Sequence, residues 1–290
     1  MSRRLTCCFL LVLGVIFGCN KTPEFTQLES GLGFRYVDQL EGEKPKVGDL
    51  MKVKMSHYLG DSLIYESSKD GIYLNPYTGT PPKLSEALNL CGAGDSVQVQ
   101  MSLGEYGRMI QMPMSPRMDT SRLVTWNIRV DEIENESIIL ERLTKEQAET
   151  DEKLINDYIV KNNLEANSTE EGVYYVISQE GDGQFPKPGD NVFVNYTLTR
   201  LDGFVVDTSR EDVARANNQY SDRRTYVPYG FELGTRGIIQ GWNIGLQKFS
   251  KGARGTLFVP SAYGYDTRGK GAEVPPNTVL VFDIELVDIK

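Results

Sequence analysis

One short motif occurs twice in this chain, and its spacing limits what the chain can fold into. Pro45-Lys46-Val47-Gly48-Asp49 is answered by Pro186-Lys187-Pro188-Gly189-Asp190, an offset of 141 residues. The same offset pairs Val53-Lys54-Met55 with Val194-Asn195-Tyr196, and Glu66-Ser67-Ser68 with Asp207-Thr208-Ser209. Three matches at one spacing mark an internal duplication, so the 290 residues must hold two copies of one small unit.

The copies also end alike. Leu123-Val124-Thr125-Trp126-Asn127-Ile128-Arg129-Val130 parallels Val279-Leu280-Val281-Phe282-Asp283-Ile284-Glu285-Leu286 at an offset of 156. The growth in offset falls mainly in a longer loop of the second copy, Glu211 to Thr225. In the last segment Leu280, Phe282, Ile284 and Leu286 alternate with other residues, a period of two that predicts a strand with one buried face. Between the copies, Asn135 to Asn163 lacks glycine and proline and carries Leu154, Ile155, Tyr158 and Ile159 at helical spacing. This predicts a connecting helix whose apolar stripe docks on its own domain.

The N-terminus has the anatomy of a secretory leader. Arg3 and Arg4 precede an apolar run from Leu5 to Phe17, which is too short to span a hydrocarbon core of about 30 Å. Its ending, Ile16-Phe17-Gly18-Cys19, resembles the bacterial lipobox. That resemblance implies cleavage before Cys19, acylation of this residue, and attachment to a membrane of the bacterial cell envelope, most simply the outer membrane. Cys7 and Cys8 leave with the leader, so Cys91 has no partner for an internal disulfide. Residues 1–18 are therefore expected as signal peptide, 19–30 as a polar tether, 31–134 as the first copy, 135–168 as the helical linker and 169–290 as the second copy.

Charge and composition exclude several functions. Forty acidic residues against 31 lysines and arginines give a formal charge of −9, which argues against a nucleic-acid partner. His57 is the only histidine, so a multi-histidine metal site is excluded. It is expected as an exposed strand residue without a task.

The second copy resembles the FKBP-type peptidyl-prolyl isomerases from about Gly172 to Lys290. In family order it carries Asn195-Tyr196-Thr197, Asp202-Gly203, Val206-Asp207-Thr208-Ser209, Gly241-Trp242, Ala262-Tyr263-Gly264, Pro275-Pro276-Asn277 and Leu280-Val281-Phe282-Asp283. The resemblance implies an α+β fold: two domains, each an antiparallel sheet of about five strands wrapped around a short helix. The spacing of Trp242, Leu246 and Phe249 independently gives that helix one apolar face.

The resemblance further implies proline-containing client polypeptides, and macrolides, as ligands, in a pocket that needs no metal or cofactor. Tyr196, Tyr229, Phe231, Ile238 and Phe282 would wall this pocket, with Trp242 as its floor. Ile239 would offer its amide to a substrate carbonyl, Asp207 would form the polar wall, and Tyr265 or Tyr263 would donate a hydroxyl from the flap. Two departures stand out. Val206 replaces the phenylalanine usual in active members, which should lower activity or alter the preference for the residue before proline. The loop from Glu211 to Thr225, with Arg215, Arg223 and Arg224, would cover the pocket, contact a client chain or form a solvated surface loop.

In the first copy Met55 stands at the Tyr196 position, Leu84 at the Trp242 position, and Arg117-Met118-Asp119 in the flap, so little isomerase activity is expected there. Met109, Met112, Met114 and Met118 suit either core filling or adaptable contact with apolar clients. Together these features point to a membrane-anchored folding catalyst for exported proteins. The alternative is a non-catalytic binding, chaperone or assembly lipoprotein of the envelope.

Overall fold

The computed structural model describes residues 23–290. The leader and the expected acylation site Cys19 lie outside the described residues. The chain divides into two units with the boundary between Leu140 and Glu141.

The first unit comprises β1 (Thr26–Gln27), β2 (Gly33–Asp38), β3 (Asp49–Leu59), β4 (Ser62–Glu66), β5 (Ile72–Leu74), α1 (Pro82–Asn89), β6 (Ser96–Ser102), α2 (Leu103–Met109) and β7 (Leu123–Asn135). Helix α3 (Glu136–Lys161) follows and runs across the boundary in sequence. The second unit continues with β8 (Asn167–Ser168), β9 (Tyr174–Gln179), β10 (Asn191–Arg200), β11 (Val205–Thr208), α4 (Glu211–Ala216), β12 (Tyr229–Glu232), α5 (Gln240–Gly245), β13 (Arg254–Val259) and β14 (Leu280–Ile289).

The duplication is written in the topology. The first sheet runs β1-β2-β6-β7-β3-β4 with β5 also on β3, and the second runs β8-β9-β13-β14-β10-β11 with β12 also on β10. Each strand of one sheet has its counterpart in the other, and the pairs are antiparallel. Each sheet has seven strands rather than about five. The additions are short: a two-residue strand at one edge, and a second partner for the long strand β3 or β10. The expected tether contributes one of them, because Thr26 and Gln27 pair with Phe34 and Gly33, and the Glu86 carboxylate accepts from the amides of Glu29 and Ser30 at 3.0 Å.

Alternation decides what each strand buries. In β3, Met51, Val53, Met55 and His57 point inward, and His57 is only 6% exposed. The expectation of an exposed histidine is thus overturned. His57 shares the parity of the apolar residues; its ring stacks on its neighbours and Nδ1 lies near the Tyr106 hydroxyl, while Nε2 is buried with no hydrogen-bond partner. Cys91 is buried beneath α1, where loss of solvation, with Asp95 nearby, pushes its thiol up to about 12 and keeps it protonated.

In the second unit Val192, Val194, Tyr196 and Leu198 of β10 meet Leu280, Phe282, Ile284 and Leu286 of β14. The short helix α5 lies against this face, and its closeness to β13 depends on two glycines. A Cβ at Gly241 would stand 2.2 Å from Val259 Cγ1, and one at Gly245 would stand 2.2 Å from Leu257 Cδ1. The opposite face carries a second cluster, in which Ile155, Tyr158 and Ile159 of α3 pack on Phe258, Val281, Tyr174 and Val176. The second half of α3 is therefore part of the second unit, and its stripe docks on its own domain.

Because Val259 is β-branched and held in a strand, it cannot swing away from an added methyl. Gly241→Ala is expected to lower stability by about 1–3 kcal/mol. A chemical denaturation midpoint equal to that of the unsubstituted chain would contradict the close approach.

Candidate functional site

Trp242 is the centre of an aromatic cage. Only 4% exposed, it sits 5.2 Å from Tyr196, 5.2 Å from Phe282, 5.4 Å from Phe231 and 6.2 Å from Tyr229, measured between ring centroids. Most of these contacts are edge-on, the geometry that ring quadrupoles favour. β10 supplies Tyr196, β12 supplies Tyr229 and Phe231, α5 supplies the indole and β14 supplies Phe282. Val206, Ile238, Ile239, Tyr263 and Tyr265 are half-buried against the same cluster. The structure therefore gathers the residues expected of the second copy at one place.

One wall is polar. The Tyr196 hydroxyl donates to Asp207 Oδ2 at 2.6 Å, and Arg224 binds Asp207 Oδ1 while donating to the Tyr196 hydroxyl at 3.3 Å. Burial, reinforced by the hydrogen bond to Asp207 and by its charge, raises the Tyr196 phenol well above the ordinary tyrosine range despite the opposing Arg224. The phenol stays protonated, so it orients Asp207 and does not act as a base. The backbone beneath is fixed as well: Ser209 Oγ accepts from the Tyr196 amide at 2.9 Å, and Thr208 Oγ1 donates to the Tyr196 carbonyl at 2.9 Å.

Arg224 comes from the long loop, whose own fold had no clear sequence signal. The loop is not simply solvated. It contains α4, stacks Tyr220 on Tyr226, lays the Arg215 guanidinium over Tyr220 at 3.4 Å, and donates from Gln219 to the Val205 carbonyl. Val206, Asp207, Thr208, Ala214, Gln219, Arg224 and Glu273 line an open hollow of about 300 Å³ beside the polar wall.

Ile239 is the N-cap residue of α5, and its carbonyl accepts from the Trp242 amide at 3.1 Å. Its own N–H precedes the helical ladder. Asn243, buried on α5, fixes the preceding loop by accepting from the Gly234 amide at 2.8 Å and donating to the Thr235 carbonyl at 3.1 Å. In the flap, Tyr263 closes one 3₁₀ turn and Tyr265 caps the next, and Lys270 donates to the Tyr265 hydroxyl at 3.2 Å.

The corresponding place in the first unit is filled. His57 is sandwiched between Trp126 at 3.9 Å and Tyr65 at 4.6 Å, with Tyr106 edge-on to both His57 and Trp126. Tyr106 also lies 3.3 Å from His57 Nδ1. Leu84 occupies the helix position that Trp242 holds in the second unit. Met109, Met112 and Met114 pack on the first core, whereas Met118 is 42% exposed. A larger hollow, about 560 Å³, opens on the outer face of the first sheet among Lys54, Ser56, Ser67, Gln98, Asn127 and Arg129. Neither hollow has a ring in its lining, but the smaller one shares Asp207 with the polar wall of the ring cage, whereas the larger one lies in the other unit.

The family comparison falls on the second unit. The family model described as FKBP-type peptidyl-prolyl cis-trans isomerase matches residues 182–287. FK506-binding protein 1 of Dictyostelium discoideum is 35% identical over 119 residues, 41% of this chain and 99% of that protein. The FKBP-type 22 kDa peptidyl-prolyl cis-trans isomerase of Escherichia coli K12 is 35% identical over 123 residues, 42% of this chain and 52% of that one. Among solved structures, FkpA from Escherichia coli is 32% identical with a TM-score of 0.39, covering 53% of this chain and 66% of that one.

Burial depresses the His57 imidazole from 6.5 to about 4. The unfolded chain therefore binds the proton first, and folding should lose stability as pH falls from about 6.5 through 4. As the only histidine, His57 gives one set of imidazole NMR signals, expected to titrate near 4. Titration near 6.5 would show that the ring is not enclosed.

Proposed function

The chain belongs to the family of FKBP-type peptidyl-prolyl cis-trans isomerases, and from that premise we propose that it is a membrane-anchored folding catalyst for exported polypeptides. The cage around Trp242, with its Tyr196–Asp207–Arg224 wall, is the observation that carries this reading.

Rotation about an X–Pro bond meets a barrier of about 18–20 kcal/mol because amide resonance is lost in the twisted state. Water favours the planar, more polar amide. The proline ring sits on the Trp242 indole between Tyr196, Phe231 and Phe282, with Tyr229 at the mouth, and so the bond leaves water. The Ile239 amide holds a substrate carbonyl, and Tyr265, whose oxygen is fixed by Lys270, donates a hydrogen bond to the carbonyl of the turning amide. Asp207 faces that carbonyl carbon as the polar wall. Each interaction favours the twisted geometry over the planar one, and no bond to the substrate forms.

Val206 narrows the aromatic lining and leaves the cavity beneath the inserted loop open to the side chain before proline. Macrolides such as FK506, named for the relatives, would compete for the same cage. The first unit, its cleft filled by His57 and Trp126, takes no part in the isomerisation. Cys19, acylated after cleavage of the leader, keeps the enzyme on the envelope membrane where exported chains emerge. Uncatalysed isomerisation takes tens to hundreds of seconds, slow enough to limit the folding of those chains.

The full chain is expected to accelerate X–Pro exchange in short peptides by protease-coupled or NMR assay. Asp207→Ala should cut kcat/KM roughly tenfold or more, about 1.4 kcal/mol of transition-state stabilisation. Trp242→Ala should abolish turnover while costing about 3–5 kcal/mol of stability. An unsubstituted chain no faster than background would sink the isomerase reading. Labelled palmitate should enter the protein in bacteria and fail to enter Cys19→Ala; equal labelling would remove the anchor.

A further inference from the structure

Both units turn a corner at the same place, after the strand that follows the short helix, and they stabilise it differently. In the first unit β6 ends at Ser102, which is the N-cap of α2. Its hydroxyl accepts from the Glu105 amide, and the Glu105 side chain accepts from the Ser102 amide, a reciprocal box contained within four residues. In the second unit the pairing of Val259 with Leu280 matches that of Met101 with Val124, so Pro260 stands where Ser102 stands. Proline has no side-chain acceptor and no amide hydrogen. The first turn of the flap, Ser261–Tyr263, therefore has no local cap.

A carboxylate from 110 residues earlier supplies it. Asp151 Oδ2 accepts from the Ser261 amide at 2.7 Å and from the Ser261 hydroxyl at 2.6 Å, while Oδ1 accepts from Gln147 Nε2 at 2.7 Å. Asp151 is 1% exposed and Ser261 is fully buried. A carboxylate so deeply enclosed is tolerated only because donors meet both oxygens. Ser261 is two residues before Tyr263 and four before Tyr265. Beyond it the flap is irregular: two three-residue 3₁₀ turns, a left-handed Asp266 at φ 51°, and a single bridge between Lys270 and Val274. Further along, the flap is also anchored by the buried Val274 and by the Asn277 amide on the Asp266 carbonyl, whereas the turn that carries Tyr263 takes its placement from its base.

We propose that Asp151 is a positioning residue for the isomerisation: from helix α3 it caps the turn that carries the flap tyrosines and sets where their hydroxyls stand over the ring cage. The proposal rests on the reading of the flap tyrosine as hydrogen-bond donor to the turning amide. Asp151 itself touches no substrate. Its removal should weaken a contact made mainly in the transition state and leave ground-state binding in the cage intact.

The test uses the full chain with Asp151→Asn, Asp151→Ala, and Asp151→Ala combined with Pro260→Ser, which supplies the hydroxyl acceptor that Ser102 provides, without the Glu105 partner that completes its box. NMR line-shape measurements on an X–Pro peptide give kcat and KM separately, and hydrogen exchange reports the amides of Tyr263 and Tyr265. A misplaced group costs up to about 100-fold, so Asp151→Ala should lose roughly tenfold in kcat with KM unchanged within about twofold. Flap amides should exchange faster, Asp151→Asn should fall between, and Pro260→Ser should recover a large part of the loss. A kcat within about twofold of the unsubstituted chain, or KM rising in step with the loss of kcat, would overturn the assignment. An inactive unsubstituted chain would overturn the isomerase reading with it, whereas unchanged flap exchange in an active Asp151→Ala variant would overturn the role of Asp151 alone.

Discussion

The pairing of β10 with β14 is the constraint on which the second unit depends. Its register sets Tyr196 against Ile284 and Leu198 against Phe282, so one face presents apolar side chains in a continuous patch. The helix that covers this patch can approach only because Gly241 and Gly245 lack side chains. Close approach then lowers the Trp242 indole between the rings of Tyr196, Phe231 and Phe282. The cage follows from strand parity and two missing methyl groups.

The first unit shows how little must change to lose the ring cage while keeping the frame. β3 and β7 pair in the same way, setting Met55 against Ile128 and His57 against Trp126. Here the large indole sits on the strand, and the helix carries Leu84. Histidine replaces the Leu198 counterpart and stacks flat on the indole at 3.9 Å. Ring mass has moved from the floor of the cleft to its wall, and the wall now fills the space. Burial of the imidazole costs its proton, so the ring remains a neutral packing element over the range in which most proteins work.

Much of this was legible in the sequence because it is periodic or repeated. The offset of 141 announced two units, alternation in the last strand announced Phe282, and the spacing of Trp242, Leu246 and Phe249 announced the covered helix. His57 was misread, although its parity with Val53 and Met55 was visible; polarity was given more weight than phase. The polar residues 19–30 gave no sign that Thr26 and Gln27 would join a sheet, since edge pairing is made by backbone. Arg224 and Asn243 were obscure for another reason. Their roles depend on Asp207 and on the Gly234–Thr235 loop, and no local pattern records contacts between polar groups that distant folding brings together.

Helix α3 is the clearest case of function hidden by composition. Its apolar stripe was legible and predicted docking, and Ile155, Tyr158 and Ile159 do pack on Phe258 and Val281. What that docking achieves was not legible. One turn before Ile155, the same face carries Asp151, and seating the stripe brings its carboxylate to Ser261 at the base of the flap. Burying the stripe fixes the helix, and the hydrogen bonds to Ser261 then form without further ordering of the chain, which is where most of their cost would otherwise lie. A connecting segment thereby becomes a structural component of the site, because proline at position 260 leaves the turn without a cap of its own.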